Sequence, residues 1–150
     1  MPTPEDHDKF HRALTDQLKR DEGFMPYAYE CTSGAITLGY GRNVDEKFGG
    51  GVSQMEAEFL LQNDINRVIS QIRTRWPWFD KLDEARKGVL CAMAFQMGLE
   101  GLGKFALTLK HVEAGDYARA ADELLDSRWA KQTPNRAARM ARQMREGAWI

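Results

Sequence analysis

Three side chains at short spacing in the first third of the chain could share acid–base work: the carboxyl of Glu22, the thiol of Cys31 and the hydroxyl of Thr37. Eight residues separate the first two and five separate the second two. An acid on one side of a sugar–sugar bond, and opposite it groups that place or activate water, is what glycoside hydrolysis generally needs. The three could face one cleft if a hairpin folds back over a helix end, with Cys31 beside the turn and Thr37 on the return strand. Each also has a plainer reading. A lone Glu at a helix end is ordinarily solvated, a Cys packs as a small hydrophobe, and Thr is a good strand former.

The elements that must position these groups can be read around them. Thr3-Pro4-Glu5-Asp6 has the form of a helix start, with Thr3 as cap, Pro4 in the first turn and acids that favour the positive end of the dipole. Phe10, Ala13, Leu14 and Leu18 recur at helical spacing up to a stop at Gly23. Glu22 therefore falls at a helix C-terminus, where the negative end of the dipole disfavours an ionised carboxylate. Aromatic and β-branched residues then flank Thr32-Ser33-Gly34, which is the pattern of a hairpin. Gly39-Tyr40-Gly41 and Gly49-Gly50-Gly51 mark bends and a flexible loop, giving a small β-containing lobe at about residues 19–52.

Ser53-Gln54-Met55-Glu56 is a capping box, and the apolar residues after it predict a connecting helix over about residues 54–74, broken at Trp76-Pro77. Those tryptophans read as the packing of a helix break rather than a sugar-stacking platform. Leu82, Ala85, Val89, Leu90, Met93, Ala94 and Met97 outline a nearly all-apolar helix that stops at Gly98. Shorter helices follow at about 105–114, 117–125 and 134–146, the last with Thr133 as cap and Pro134 in its first position. The expected fold class is α+β and predominantly helical. It is read as a single domain over 1–150, with a small β-hairpin lobe joined by a long helix to a helical lobe at about 80–150. The N-terminal helix is expected to pack with the helical lobe.

Composition narrows the function classes. A chain of 150 residues, 43% hydrophobic and 29% charged, has material for one core, and its formal net charge of -1 gives no general pull toward nucleic acid or anionic membranes. The charge is uneven: Met1 to Leu60 carries eleven acids and six bases, whereas Asp126 to Ile150 carries two acids and six bases. No apolar run approaches the roughly 20 residues of a membrane span, so no stable membrane insertion is expected. The acidic start lacks the features of a secretory signal, which predicts synthesis in the cytoplasm. Cys31 and Cys91 lie in dissimilar surroundings, so neither a disulfide framework nor a metal site is expected, and His7, His11 and His111 lack ligand spacing.

Several motifs then fall in register. Asp21-Glu22-Gly23 followed by Thr37-Leu38-Gly39-Tyr40-Gly41 resembles the catalytic segment of the T-even phage lysozymes, glycoside hydrolase family 24. Phe95-Gln96-Met97-Gly98, Ser127-Arg128-Trp129 and Gln132-Thr133-Pro134-Asn135-Arg136 extend the resemblance in the same order, over about Lys19 to Trp149. The resemblance implies a lysozyme-like fold and a cofactor-free muramidase acting on bacterial peptidoglycan. It further implies an endolysin that reaches the wall through a partner membrane pore, a holin; a monomer is expected. Glu22 would be the general acid and Thr37 would help hold the attacking water. Phe95 and Gln96 would line the cleft, and Arg136 would contact the catalytic carboxylate. One departure stands out, since the family usually has Asp where this chain has Cys31, although some phage enzymes resembling this one carry Cys in that slot. A thiol with an ordinary pKa of about 8.5 is mostly protonated at neutral pH, so its surroundings must lower that value or its part must be weaker than an Asp's. The Asp-to-Cys change also leaves two rivals. One is a catalytically silent wall-binding or phage structural module, and the other is a lytic transglycosylase or chitinase on the same fold.

Overall fold

The computed structural model describes Met1 and residues 3–150. It divides into two compact units, Met1–Ala57 and Glu58–Ile150.

The first unit opens with α1 (Pro4–Glu22). Thr3 caps it reciprocally: its hydroxyl accepts from the amide of Asp6 while the Asp6 carboxylate accepts from the amide of Thr3. Two donors that a helix start leaves without intrahelical partners are thereby satisfied. The helix ends where Gly23 turns out of the helical path and its N–H returns to the carbonyl of Lys19. No residue of α1 is buried, and Phe10, Leu14 and Leu18 are exposed. Three short antiparallel strands follow in the order β1 (Met25–Glu30), β2 (Ile36–Gly39) and β3 (Arg42–Asn43). The β1–β2 hairpin is closed by a turn in which the Gly34 amide donates to the Cys31 carbonyl at 2.8 Å. The sequence expectation of a hairpin is met, and the pairing of β2 with β3 adds a third strand that two residues could not signal.

α2 (Gln54–Arg75) begins at the expected capping box: the Ser53 hydroxyl accepts from the Glu56 amide, and the Glu56 carboxylate accepts from the Ser53 amide. In the second unit the remaining length of α2 meets a helical array. It comprises α3 (Glu84–Gly103), α4 (Ala106–Glu113), α5 (Tyr117–Leu125), α6 (Arg128–Gln132) and α7 (Pro134–Glu146). The core is assembled here from Ile72, Phe79, Val89, Leu90, Met93, Leu102, Leu124 and Met144, with Trp76 and Trp78 packed against it. The aromatics at the helix break therefore serve packing, and Cys91 is half-buried beside the same core. Burial pushes the Cys91 thiol above its ordinary range, which suits a packed, unreactive sulfur.

One sequence expectation among the helix ends changes in detail, the cap at Thr133. The apolar helix stops at Gly98 as expected: at φ 78° and ψ 167° the chain leaves helical geometry there, and a separate short helical segment then runs through Gly103. Thr133 stands at the start of α7, but its hydroxyl donates back to the Trp129 carbonyl at 3.0 Å and makes no side-chain cap. The fixed φ of Pro134 supplies the start instead. His7 and His11 are exposed, whereas His111 is half-buried.

The last turn of α7 is tied to α3 by Arg86. Its guanidinium donates to the carbonyls of Met144 and Arg145 at 2.7 and 2.9 Å and lies 3.7 Å from the Tyr117 ring centroid. The buried Gln143 amide completes the joint by donating to the Ala85 carbonyl at 2.7 Å. A cation over the negative end of a helix satisfies carbonyls that would otherwise lack partners.

Candidate active site

Glu22, Cys31 and Thr37 all belong to the first unit. Glu22 is the last residue of α1, and its carboxylate points onto the bend between β2 and β3. A Cβ at Gly41 would stand 2.8 Å from Glu22 Oε2. Gly41 also has φ +76°, which side chains rarely tolerate, so two independent constraints select glycine under the carboxylate. The end of α1 is held against the same bend by Tyr40, whose ring lies 5.4 Å from that of Phe24 and 5.6 Å from the Lys19 ammonium. Glu22 itself is exposed.

Cys31 and Thr37 share one face of the hairpin. The Cys31 amide donates to the Ala35 carbonyl at 2.9 Å, and Tyr29 pairs with Thr37 in the ladder. Because side chains alternate across a strand and directly opposed residues share a face, Tyr29, Cys31, Ala35 and Thr37 project together. Thr37 is buried, and its hydroxyl donates to the Ala35 carbonyl at 3.1 Å.

The thiol of Cys31 is half-buried and lies 3.0 Å from the Ser33 hydroxyl. Hydrogen bonding from the Ser33 side chain is the largest influence on its ionisation, followed by the Ser33 and Ala35 backbone. Together they outweigh desolvation and lower the Cys31 pKa to about 7. Donors aimed at sulfur favour the charged form. The lowered value that the sequence could only require is therefore supplied by the turn. Ser33 is the residue that sequence reading missed, because it counted only as a turn former in Thr32-Ser33-Gly34.

The residues expected to support the site from the helical unit separate into two places. Phe95 and Arg136 line one apolar pocket of about 240 Å³ with Leu61, Ile65, Val68, Cys91 and Ala92. Gln96 is engaged elsewhere: its Oε1 accepts from the indole N–H of Trp129 at 3.1 Å. That bond satisfies the polar atom of a buried tryptophan and gives Gln96 a structural duty that the sequence did not indicate. Among the described residues no group of His, Cys, Asp and Glu has the arrangement of a metal site.

A small antiparallel sheet that follows an N-terminal helix and precedes a helical array is the α+β order of lysozyme-type glycoside hydrolases. The chain belongs to the Phage lysozyme family, which matches residues 19–146. It is similar to "Probable T4-type lysozyme 2" of Dictyostelium discoideum, with 33% identity covering 85% of this chain and 91% of that protein. It is similar at 30% identity and the same coverage to "Probable T4-type lysozyme 1" of that organism. An "Endolysin" of Acyrthosiphon pisum secondary endosymbiont phage 1 is 31% identical over 79% of this chain and 77% of its own length.

Proposed function

We propose that this chain is an endolysin that hydrolyses the β-1,4 bond between N-acetylmuramic acid and N-acetylglucosamine in bacterial peptidoglycan and thereby lyses a host cell. Glu22 protonates the departing sugar oxygen. Cys31, as thiolate, takes a proton from the attacking water or stabilises the positive charge that develops on the ring, and Thr37 helps to hold that water. Phe95, Gln96 and Arg136 take supporting roles carried over from the family resemblance.

The observation that carries this reading is the setting of Cys31. The Ser33 hydroxyl, then the backbone of Ser33 and Ala35, draw its thiol to about 7, so a large share is thiolate at neutral pH. A spectator cysteine needs no such arrangement, and a silent wall-binding module gains nothing from it. Digestion of purified murein followed by mass spectrometry of the fragments tests the proposal. Chains ending in reducing N-acetylmuramic acid are expected; anhydro-sugar ends would indicate a transglycosylase, and cleavage of chitin alone would move the substrate class.

No helix of the described residues is long and apolar enough to cross a membrane. Delivery from the cytoplasm to the wall through a holin, action as a monomer and independence of nucleic acid complete the proposal.

The seat of Glu22 makes a separate expectation. Gly41→Ala sets a methyl 2.8 Å from Oε2 at a positive φ, whereas Gly39→Ala has a similar φ of +65° with no atom within 4 Å of the new Cβ. Misplacement of a catalytic group by an ångström can cost about 10²-fold. Gly41→Ala is therefore expected to lower turnover of murein by about that factor. Gly39→Ala, which carries the backbone strain alone, is expected to lose far less. Equal losses in the two variants would mean that strain, not the seat, sets the activity.

A further inference from the structure

Arg42 follows Gly41 directly, so its backbone continues the bend on which the Glu22 carboxylate rests. Its guanidinium reaches the first turn of α2 and grips Glu56 through two bonds, Nη1 to Oε2 at 2.7 Å and Nη2 to Oε1. The same Nη1 approaches the Gly51 carbonyl at 3.4 Å. Glu56 Oε2 in turn accepts from the Ser53 amide at 2.8 Å, so one carboxylate joins strand β3 to the start of the helix.

Between these anchors runs Gly49-Gly50-Gly51. Three successive glycines have no side chains with which to fix their own path. Their place is set from outside: the Gly51 amide donates to the Asn43 carbonyl at 3.0 Å, the Gly50 amide donates to the Asp45 carbonyl at 2.8 Å, and the Asn43 side chain donates to the Phe48 carbonyl at 3.1 Å. The segment forms one wall of a polar groove of about 500 Å³, whose other wall is Tyr40, Gly41 and Arg42. The groove thus contains the residue that seats Glu22.

We propose that Arg42 and Glu56 are a positioning pair for the reaction, holding the glycine wall and the Gly41 seat so that the groove receives an amino-sugar of the glycan beside Glu22. The proposal rests on the reading of Glu22 as the acid. Neither residue touches the reacting atoms; they act through the backbone of residues 41 and 49–51. A purely structural duty explains less. Both side chains are substantially open to solvent, 48% for Arg42 and 40% for Glu56, and exposed ion pairs add little to global stability. Two parallel bonds between planar groups give direction instead, which a point charge would not.

The pair also persists in acid. The Arg42 guanidinium first, and then the Ser53 amide, lower the Glu56 pKa to about 2. A carboxyl whose value is depressed on folding contributes its stabilisation fully above the ordinary carboxylate range and loses it as pH falls toward about 2. Glu56 is therefore ionised and paired at neutral pH.

A double-substitution cycle tests this. Arg42→Gln removes the guanidinium, and Glu56→Gln removes the charge while keeping a residue that can still complete the capping box. Each is expected to lower kcat on murein about tenfold, with the thermal midpoint within about 3 °C of wild type. The double variant is expected to lose about tenfold as well, not the hundredfold of independent effects. The Gly51 amide, followed by hydrogen exchange without substrate, is expected to exchange at least about tenfold faster in Arg42→Gln. Wild-type kcat in either single variant, multiplicative losses in the double, or losses that track unfolded protein would overturn the proposal. Murein left uncut by the wild type would instead sink the hydrolase reading, and an unchanged Gly51 amide would refute the clamp whichever way that assay falls.

Discussion

Replacing Cys31 with Ala is expected to cut murein turnover by about 10²-fold while leaving the fold intact, and replacing it with Asp is expected to restore most of the activity. The fold is spared because Cys31 is only half-buried at the end of a hairpin and lies outside the core of the helical unit. On the proposed mechanism the activity is not spared, because Ala removes the group that takes a proton from the attacking water or stabilises the charge on the ring. Asp supplies an acceptor that is ionised at neutral pH without help from the turn. The pH dependence separates a working thiolate from a bystander. The thiol is protonated below about 7 and ionised above it, so the Cys31-dependent limb of the rate should rise with pH through about 7. Ser33→Ala removes the largest stabiliser of the thiolate, which disfavours the charged form and moves that limb upward, toward the ordinary thiol range. Cys31→Asp moves it down into the carboxylate range. Full activity in Cys31→Ala, or a limb that ignores both Ser33 and Cys31, would make the thiol a spectator.

Glu22→Gln is expected to be more damaging still. Gln keeps the size of the side chain but has no proton to give to a leaving oxygen. General acid–base catalysis typically contributes about 10²–10⁴-fold, and a loss near the upper end, at least about 10³-fold, is expected. The side chain is exposed at a helix end, so thermal midpoint and circular dichroism should match wild type. Retention of more than a tenth of the activity by folded Glu22→Gln would remove Glu22 from the chemistry.

Periodic and local features of the fold were legible in the sequence. The capping residues Thr3 and Ser53 announce their helices because the donors they satisfy lie three residues away, and Gly23 ends α1 because its return bond is equally local. Apolar spacing located α2 through α5 and α7 for the same reason. Gly98 announced a stop in the same way, since a glycine free to take φ 78° ends the helical path locally, whereas the short helical segment after it left no periodic signal. α6, five residues long, offers too few turns to show a period.

The site divides in the same way. Glu22, Cys31 and Thr37 could be named from a spacing and a family resemblance. The groups around them could not, because each depends on a contact that the chain makes only when folded. Ser33 turns toward sulfur across a tight turn, Gly41 comes under Glu22 from 19 residues further along the chain, and Arg42 finds Glu56 from 14 residues away. Gln96 and Trp129, 33 residues apart, meet for the same reason. Even so, the Asp-to-Cys departure carried a readable demand, namely that something nearby must favour the thiolate. The turn of the hairpin answers it.

Digestion of purified murein in water enriched in oxygen-18, followed by fragment mass spectrometry, tests the central claim most directly. If water held opposite Glu22 is the nucleophile, every new muramic acid end gains one heavy oxygen with the wild type, and such ends are all but missing with folded Glu22→Gln. Unlabelled anhydro ends, or intact glycan after prolonged incubation with folded wild type, would contradict it.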